Sequence, residues 1–210
     1  MYFIGITGGI GAGKSEVLNY IRNHYSCEIY LADEVAHQVK EPGGPAYEEL
    51  VRLLGQDVTG EDGIIDRGKM AEKIFADSAL LEQVNQIIHP AVKAYLLEHL
   101  RRAEEAGETE LFFVEAALLI EGGYLALVDE MWYIYANEAV RRKRLRESRG
   151  YDDEKISRIF ASQLTEEGFR ESCGFVIDNG GDFQESCRQI DRRLAELGCL
   201  KISTRKREEK

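Results

Sequence analysis

The chemistry in this chain begins with Gly8-Gly9-Ile10-Gly11-Ala12-Gly13-Lys14-Ser15, which fits the spacing G-x-x-x-x-G-K-S/T of a phosphate-binding loop. Glycine at positions 8, 9, 11 and 13 lets the main chain turn tightly and bring its N–H groups against a polyphosphate without Cβ interference. A helix starting near Lys14 adds its partial positive N-terminus to the same anion site. Lys14 has the reach for β- and γ-phosphates, and the Ser15 hydroxyl is a ligand for Mg²⁺. Gly9, Ile10, Gly11, Ala12, Gly13, Lys14, Ser15 and Glu16 are therefore the expected contacts to the phosphates of a nucleoside triphosphate. The flanks agree: Phe3, Ile4 and Ile6 form an apolar run before the loop, and Val17, Leu18 and Ile21 a helical face after it.

Other groups able to do chemistry stand at the ends of short apolar runs. Asp33 follows Cys27-Glu28-Ile29-Tyr30-Leu31, at the carboxyl end of a second strand, where open α/β sheets hold ligands. Capping of the next helix is the equal alternative for Asp33. Glu115 closes Leu111-Phe112-Phe113-Val114 in the same way. It reads as an acid aiding Mg²⁺ through water, as a holder of an acceptor group, or as a plain capping or loop acid. Asn137 opens a helix carrying Arg141, Arg142, Lys143, Arg144, Arg146 and Arg149. A solvated face accounts for several of them, while the upstream loop favours one or two as lid arginines that neutralise charge on a transferring phosphoryl group. A nucleic-acid patch fits poorly with a net charge of −11 and no interleaved aromatics. Four cysteines and four histidines make no ligand cluster, so reduced thiols and no zinc site are expected.

These groups need a scaffold. Strands are predicted at about 3–6, 27–31, 111–115, 130–136 and 174–178, and the nearly all-apolar third run reads as a strand buried on both faces of a parallel sheet. Between the second and third strands the chain is helical over about 34–107, with no convincing strand. It is broken at Glu41-Pro42-Gly43-Gly44-Pro45, looped over 56–63, and restarted behind an N-cap at Asp66. His89-Pro90 should kink or restart the long apolar-periodic run that contains it. Leu118 to Tyr124 predicts a turn and a short helix, and Phe183, Cys187, Ile190, Leu194 and Leu197 a final amphipathic helix.

A chain of 210 residues suits one α/β domain. We expect a core of about 1–33, 108–143 and 172–198, an acceptor lobe of about 34–107, a lid of about 144–171 and a frayed tail over 201–210. The N-terminus enters the first strand without a basic or cleavable leader, and no run is long enough to span a bilayer. The cytoplasm, no membrane and no nucleic acid are the expectations, with a monomer favoured over weak self-association.

Read together and in order, ITGGIGAGKS, LADEVAHQV with Asp33, the His89-Pro90 pair, ALLIE from Ala117, RLRESRGYDDEKISRIFASQ and VIDNGG resemble the dephospho-coenzyme A kinases over Met1 to about Leu197. The resemblance implies a three-layer P-loop kinase fold, a five-stranded parallel sheet with a helical substrate lobe and lid. It implies transfer of the γ-phosphate of ATP, with Mg²⁺, to the ribose 3′-hydroxyl of dephospho-coenzyme A. By the same resemblance Asp33 is the general base, Arg144 and Arg149 the lid arginines, and Asn179 lies at the adenine end of ATP. Arg67, His89, Glu115 and Leu118 fall on the acceptor side. Two departures stand out: Glu115-Ala116-Ala117-Leu118-Leu119-Ile120-Glu121 replaces the common D-V-P-L-L-F-E, and the Arg144–Arg149 stretch is about one residue longer than usual.

Independently of resemblance, a ribose hydroxyl is a poor acid, so a carboxylate within hydrogen-bond reach has to accept its proton. The nearest rival is another small-acceptor P-loop kinase, acting on a nucleoside monophosphate or on shikimate. A GTPase-type switch is a different class: Asp57-Val58-Thr59-Gly60 matches D-x-x-G, but nothing like N-K-x-D follows. An inactive ATP-binding regulator is the third.

Overall fold

The computed structural model describes residues 1–202. Five strands, β1 (Tyr2–Thr7), β2 (Cys27–Leu31), β3 (Leu111–Glu115), β4 (Glu130–Tyr135) and β5 (Phe175–Asp178), form one sheet in the order β2-β3-β1-β4-β5. β1 runs parallel to β3 and β4, and β4 parallel to β5. All five strands fall where alternation and apolar runs place them. β1 and β3 are central, and their near-continuous apolar sequences follow from that: Ile4, Ile6, Phe112, Phe113 and Val114 are fully buried. Trp132 on β4 anchors this core, with its ring edge-on to Phe113 (5.8 Å) and Phe175 (5.2 Å). Its indole N–H donates to Glu130, and Arg193 donates to the same carboxylate, so the buried edge of the ring leaves no donor unmatched.

The chain forms two compact units. The first comprises Met1–Ile29 and the chain from Ala103 on. Its helices are α1 (Lys14–His24), α6 (Glu138–Arg149), α7 (Asp153–Ala161), α8 (Glu166–Ser172) and α9 (Phe183–Glu196). Asn137, Asp152, Thr165 and Asp182 cap α6 to α9 with side-chain oxygens, so each helix starts at a residue with a reason to start it. Phe183, Cys187, Ile190 and Leu194 lie on α9 as expected, the last three buried. From Leu118 to Tyr124 the structure has turns and no helix, a correction: Gly122 and Gly123 interrupt the segment before a second helical turn forms.

The second unit is Tyr30–Arg102. It holds α2 (Ala32–Gln38), α3 (Tyr47–Leu54), α4 (Arg67–Ala76) and most of α5 (Ser78–Ala106). Asp66 caps α4 as predicted, accepting from the Lys69 N–H (2.9 Å). The only extended pairing among the described residues of this unit beyond β2 is one bridge, Thr59 to Ile65. Of the two outcomes expected at His89-Pro90, a restart does not occur, since α5 runs through Pro90. Val84, Ile88, Val92 and Leu96 recur every four residues on both sides of the proline and are all buried, so one packed stripe outweighs the lost hydrogen bond, about 3 kcal/mol.

The expected frayed tail starts too early at 201. Lys201 Nζ pairs with Asp191 (2.6 Å) and the Ile202 N–H donates to the His24 carbonyl (2.8 Å). Residues 203–210 lie outside the described residues.

Candidate active site

The loop between β1 and α1 has the conformation its glycines allow. Gly11 and Gly13 adopt φ of 82° and 91°, which other residues rarely reach, and Gly13 ends directly in the first turn of α1. Gly8 (φ 149°) has no room for a side chain, because a Cβ there would stand 2.5 Å from the Ile134 carbonyl oxygen. Sequence pattern and backbone thus meet at the same residues.

Two sets of side chains fasten the loop at its two ends, all within the first unit. At the Gly11–Gly13 end, Asn179 is buried behind β5 and donates from Nδ2 to the Ala12 carbonyl (2.9 Å). Its Oδ1 accepts from Ser186 Oγ (2.8 Å), which fixes the amide orientation. Arg144 on α6 donates to the carbonyls of Ala12 (3.2 Å) and Asn179 (2.8 Å), with Gly11 at 3.5 Å. The resemblance singled out Arg144 and Asn179; the structure joins them in one cluster on the loop carbonyls.

At the Gly8–Ile10 end stand Lys14, Glu115, Gln163 and Arg141. Lys14 Nζ donates to the Gly8 carbonyl (2.8 Å) and lies 3.5 Å from a Glu115 carboxylate oxygen, both side chains mostly buried. The Ile10 N–H donates to Gln163 Oε1 (3.2 Å). The Arg141 guanidinium lies against Gly9, so that a Cβ on Gly9 would run into Nη1, and it stacks on the Phe160 ring at 4.0 Å. Burial pushes Arg141 below the usual arginine value. Gln163 was not singled out as a site residue, and Arg141 only as one of six cations. Arg141 stands one turn before buried Leu145 and three residues before Arg144 on α6, a register that does not by itself separate it from the other cations.

Ser15 and Glu16 are exposed in the first turn of α1. Arg149 is exposed at the C-terminal end of α6, 6.0 Å from the Tyr151 ring, and makes no hydrogen bond to the loop among the described residues. Leu118 is 57% exposed in the turn after β3.

In the second unit Asp33 occupies the first turn of α2, exposed, directly after β2. Leu31 is the N-cap of α2 and no side chain caps it, so Asp33 does not take the capping role. Arg67 opens α4 and His89 lies on α5, both exposed. Burial pushes Lys40 below its ordinary value, and the charge of Arg67 adds to that. His37, one turn beyond Asp33, is lowered by burial and then by Lys40 and Arg67. Arg67 thus stands close enough to Lys40 and His37 for its charge to disfavour protonation of both.

A phosphate-binding loop between a central parallel strand and its helix, in a sheet of order 2-3-1-4-5 with a helical unit between β2 and β3, defines a P-loop kinase. The family model for dephospho-CoA kinase matches residues 2–185, and the chain belongs to that family. Members transfer phosphate from ATP to dephospho-coenzyme A in coenzyme A synthesis. A dephospho-CoA kinase of Shouchella clausii is 33% identical over 192 residues, 91% of this chain and 96% of that protein. The crystal structure of TT1252 from Thermus thermophilus superposes with a TM-score of 0.77 at 31% identity, covering 93% of this chain and 97% of that one. A dephospho-CoA kinase from Campylobacter jejuni shares the fold, with a TM-score of 0.70 at 21% identity over 93% of this chain and 96% of that one.

Proposed function

We propose that this chain moves the γ-phosphate of ATP onto the ribose 3′-hydroxyl of dephospho-coenzyme A with the following division of labour. The loop amides from Gly9 to Ser15 and the Lys14 ammonium hold the triphosphate, with Glu16 in the same helical turn. They spread its charge over donors that need no reorganisation as the bond to the leaving oxygen lengthens. Asp33 accepts the proton of the attacking 3′-hydroxyl as the new P–O bond forms. Arg67 and His89 bind the acceptor, helped by the cations around Lys40, and Leu118 offers it an exposed apolar contact. Asn179 and Arg144 act at the adenine end by shaping the Gly11–Gly13 turn, and Arg149 serves the lid.

Ser15 and Glu115 offer hard oxygen donors beside the loop, a set that suits Mg²⁺. When bound, the ion would supply charge neutralisation to the phosphates. The cytoplasm is the proposed compartment, in keeping with four cysteines that form no disulfide. A monomer is the proposed state, because one chain carries every group named.

The observation that best supports this reading is the loop itself, with Gly11 and Gly13 at positive φ ahead of α1, in a chain whose family match covers residues 2–185. Coupled ADP release with dephospho-coenzyme A, adenosine monophosphate and shikimate tests it. Turnover with dephospho-coenzyme A at least about 100-fold above the other two is expected, a ratio within reach of transition-state discrimination. Equal or greater turnover with either rival acceptor overturns the assignment.

A further inference from the structure

The Gly8–Ile10 end of the loop holds two side chains that neither the motif nor the division of labour above uses. Gln163, just past the end of α7, sets its carbonyl oxygen on the Ile10 N–H. That amide belongs to the cradle a phosphate oxygen would fill, so Gln163 supplies an acceptor in the place of the ligand. Arg141 lies against Gly9 next to it, and both side chains crowd the same point above the Gly9 Cα. Its Nε is buried with no hydrogen-bond partner, and among the described residues the guanidinium forms no ion pair. An arginine that stacks on an aromatic ring yet leaves a buried donor unmatched is poorly satisfied by the protein alone. Arg144 is the opposite case, with its donors on loop and Asn179 carbonyls.

Position along the loop says which phosphate is concerned. Gly8, whose carbonyl holds Lys14 Nζ, adjoins Gly9, so Arg141 stands on the side of the residue that reaches the β- and γ-phosphates. Asn179 and Arg144 occupy the other end.

We propose that Arg141 is the guanidinium that binds the terminal phosphate of ATP, and that Gln163 is an internal stand-in which leaves the Ile10 amide when that phosphate arrives. Exchange converts one neutral hydrogen bond into charge-assisted ones, which are shorter and stronger. The cost of displacing Gln163 lowers the apparent affinity for ATP, as any competing internal ligand does. The proposal rests on the reading of the loop as an ATP site; it does not depend on which acceptor is used.

Arg141→Gln, Arg141→Lys and Gln163→Ala test it through direct titration with ATP, ADP and inorganic tripolyphosphate, alongside turnover. Arg141→Gln is expected to lower the ATP-to-ADP affinity ratio by about 10-fold, the scale of one charged hydrogen bond, with ADP binding within about 2-fold of the parent. Retained ADP binding shows that the variant is folded. Arg141→Lys should fall between the two, because a point charge replaces the planar fork. Gln163→Ala should tighten tripolyphosphate and ATP binding by a few-fold, since it removes only the competitor. An unchanged ATP-to-ADP ratio in Arg141→Gln overturns the assignment of Arg141. Weaker tripolyphosphate binding in Gln163→Ala overturns the stand-in role, showing that Gln163 supports the bound state. If the parent binds ATP and passes these tests but shows no turnover with dephospho-coenzyme A, the acceptor assignment fails while this one stands.

Discussion

Single side chains in this protein divide by what the empty fold already asks of them. Lys14 is held by the Gly8 carbonyl and Glu115, and Asn179 is locked between Ala12 and Ser186. Such groups are pre-positioned, so they lose little freedom when a nucleotide binds. Asp33 differs: it is exposed in the first turn of α2 and caps nothing, which leaves its carboxylate open to the role proposed for it. Replacing it removes no structural bond, and in the proposed role it removes the base. We expect Asp33→Asn to lower kcat with dephospho-coenzyme A by 10²-fold or more, on the scale of general-base help, with ATP affinity within about 2-fold. Steady-state kinetics with an ATP titration checks this, and near-parent kcat would remove Asp33 from that role.

Elements set where these side chains stand. The loop and α1 are joined through Gly13, whose φ of 91° and contact with the Asn179 amide leave no place for a methyl group. Gly13→Ala therefore meets both backbone strain and a clash, costing about 1–2 kcal/mol for the strain alone. A fall in Tm of about 2–8 °C is expected for a chain of this size, together with loss of ATP binding. Thermal melts with and without ATP measure both, and an unchanged Tm would mean that the loop is less constrained than its geometry. This element was legible in sequence because spacing, glycine and lysine each have one strong physical use there. Arg141 and Gln163 were not, since a cationic helix face and a lone glutamine have many uses, and only packing against Gly9 and Ile10 singles them out. The restart allowed for at Pro90 fails for the converse reason: a local rule about proline carries no information on the stripe from Val84 to Leu96 that keeps the helix continuous.

At the scale of the whole molecule, the sheet was the most readable feature. β1 and β3 are buried on both faces, so their sequences are nearly uniform in character, and the order 2-3-1-4-5 brings the loop after β1 to the middle of the sheet's carboxyl edge. The compact unit Tyr30–Arg102 begins inside β2 and ends inside α5, bounds that a reading by elements does not give, because both elements continue across them. Everything else depends on one phosphoryl group passing from ATP to dephospho-coenzyme A on this chain. ATP carrying heavy oxygen on its γ-phosphate, turned over with dephospho-coenzyme A and followed by mass spectrometry, tests that most directly. The account predicts coenzyme A that carries the labelled phosphoryl oxygens, with ADP unlabelled on its terminal non-bridging positions. Label recovered in inorganic phosphate, with the acceptor unchanged, would contradict it.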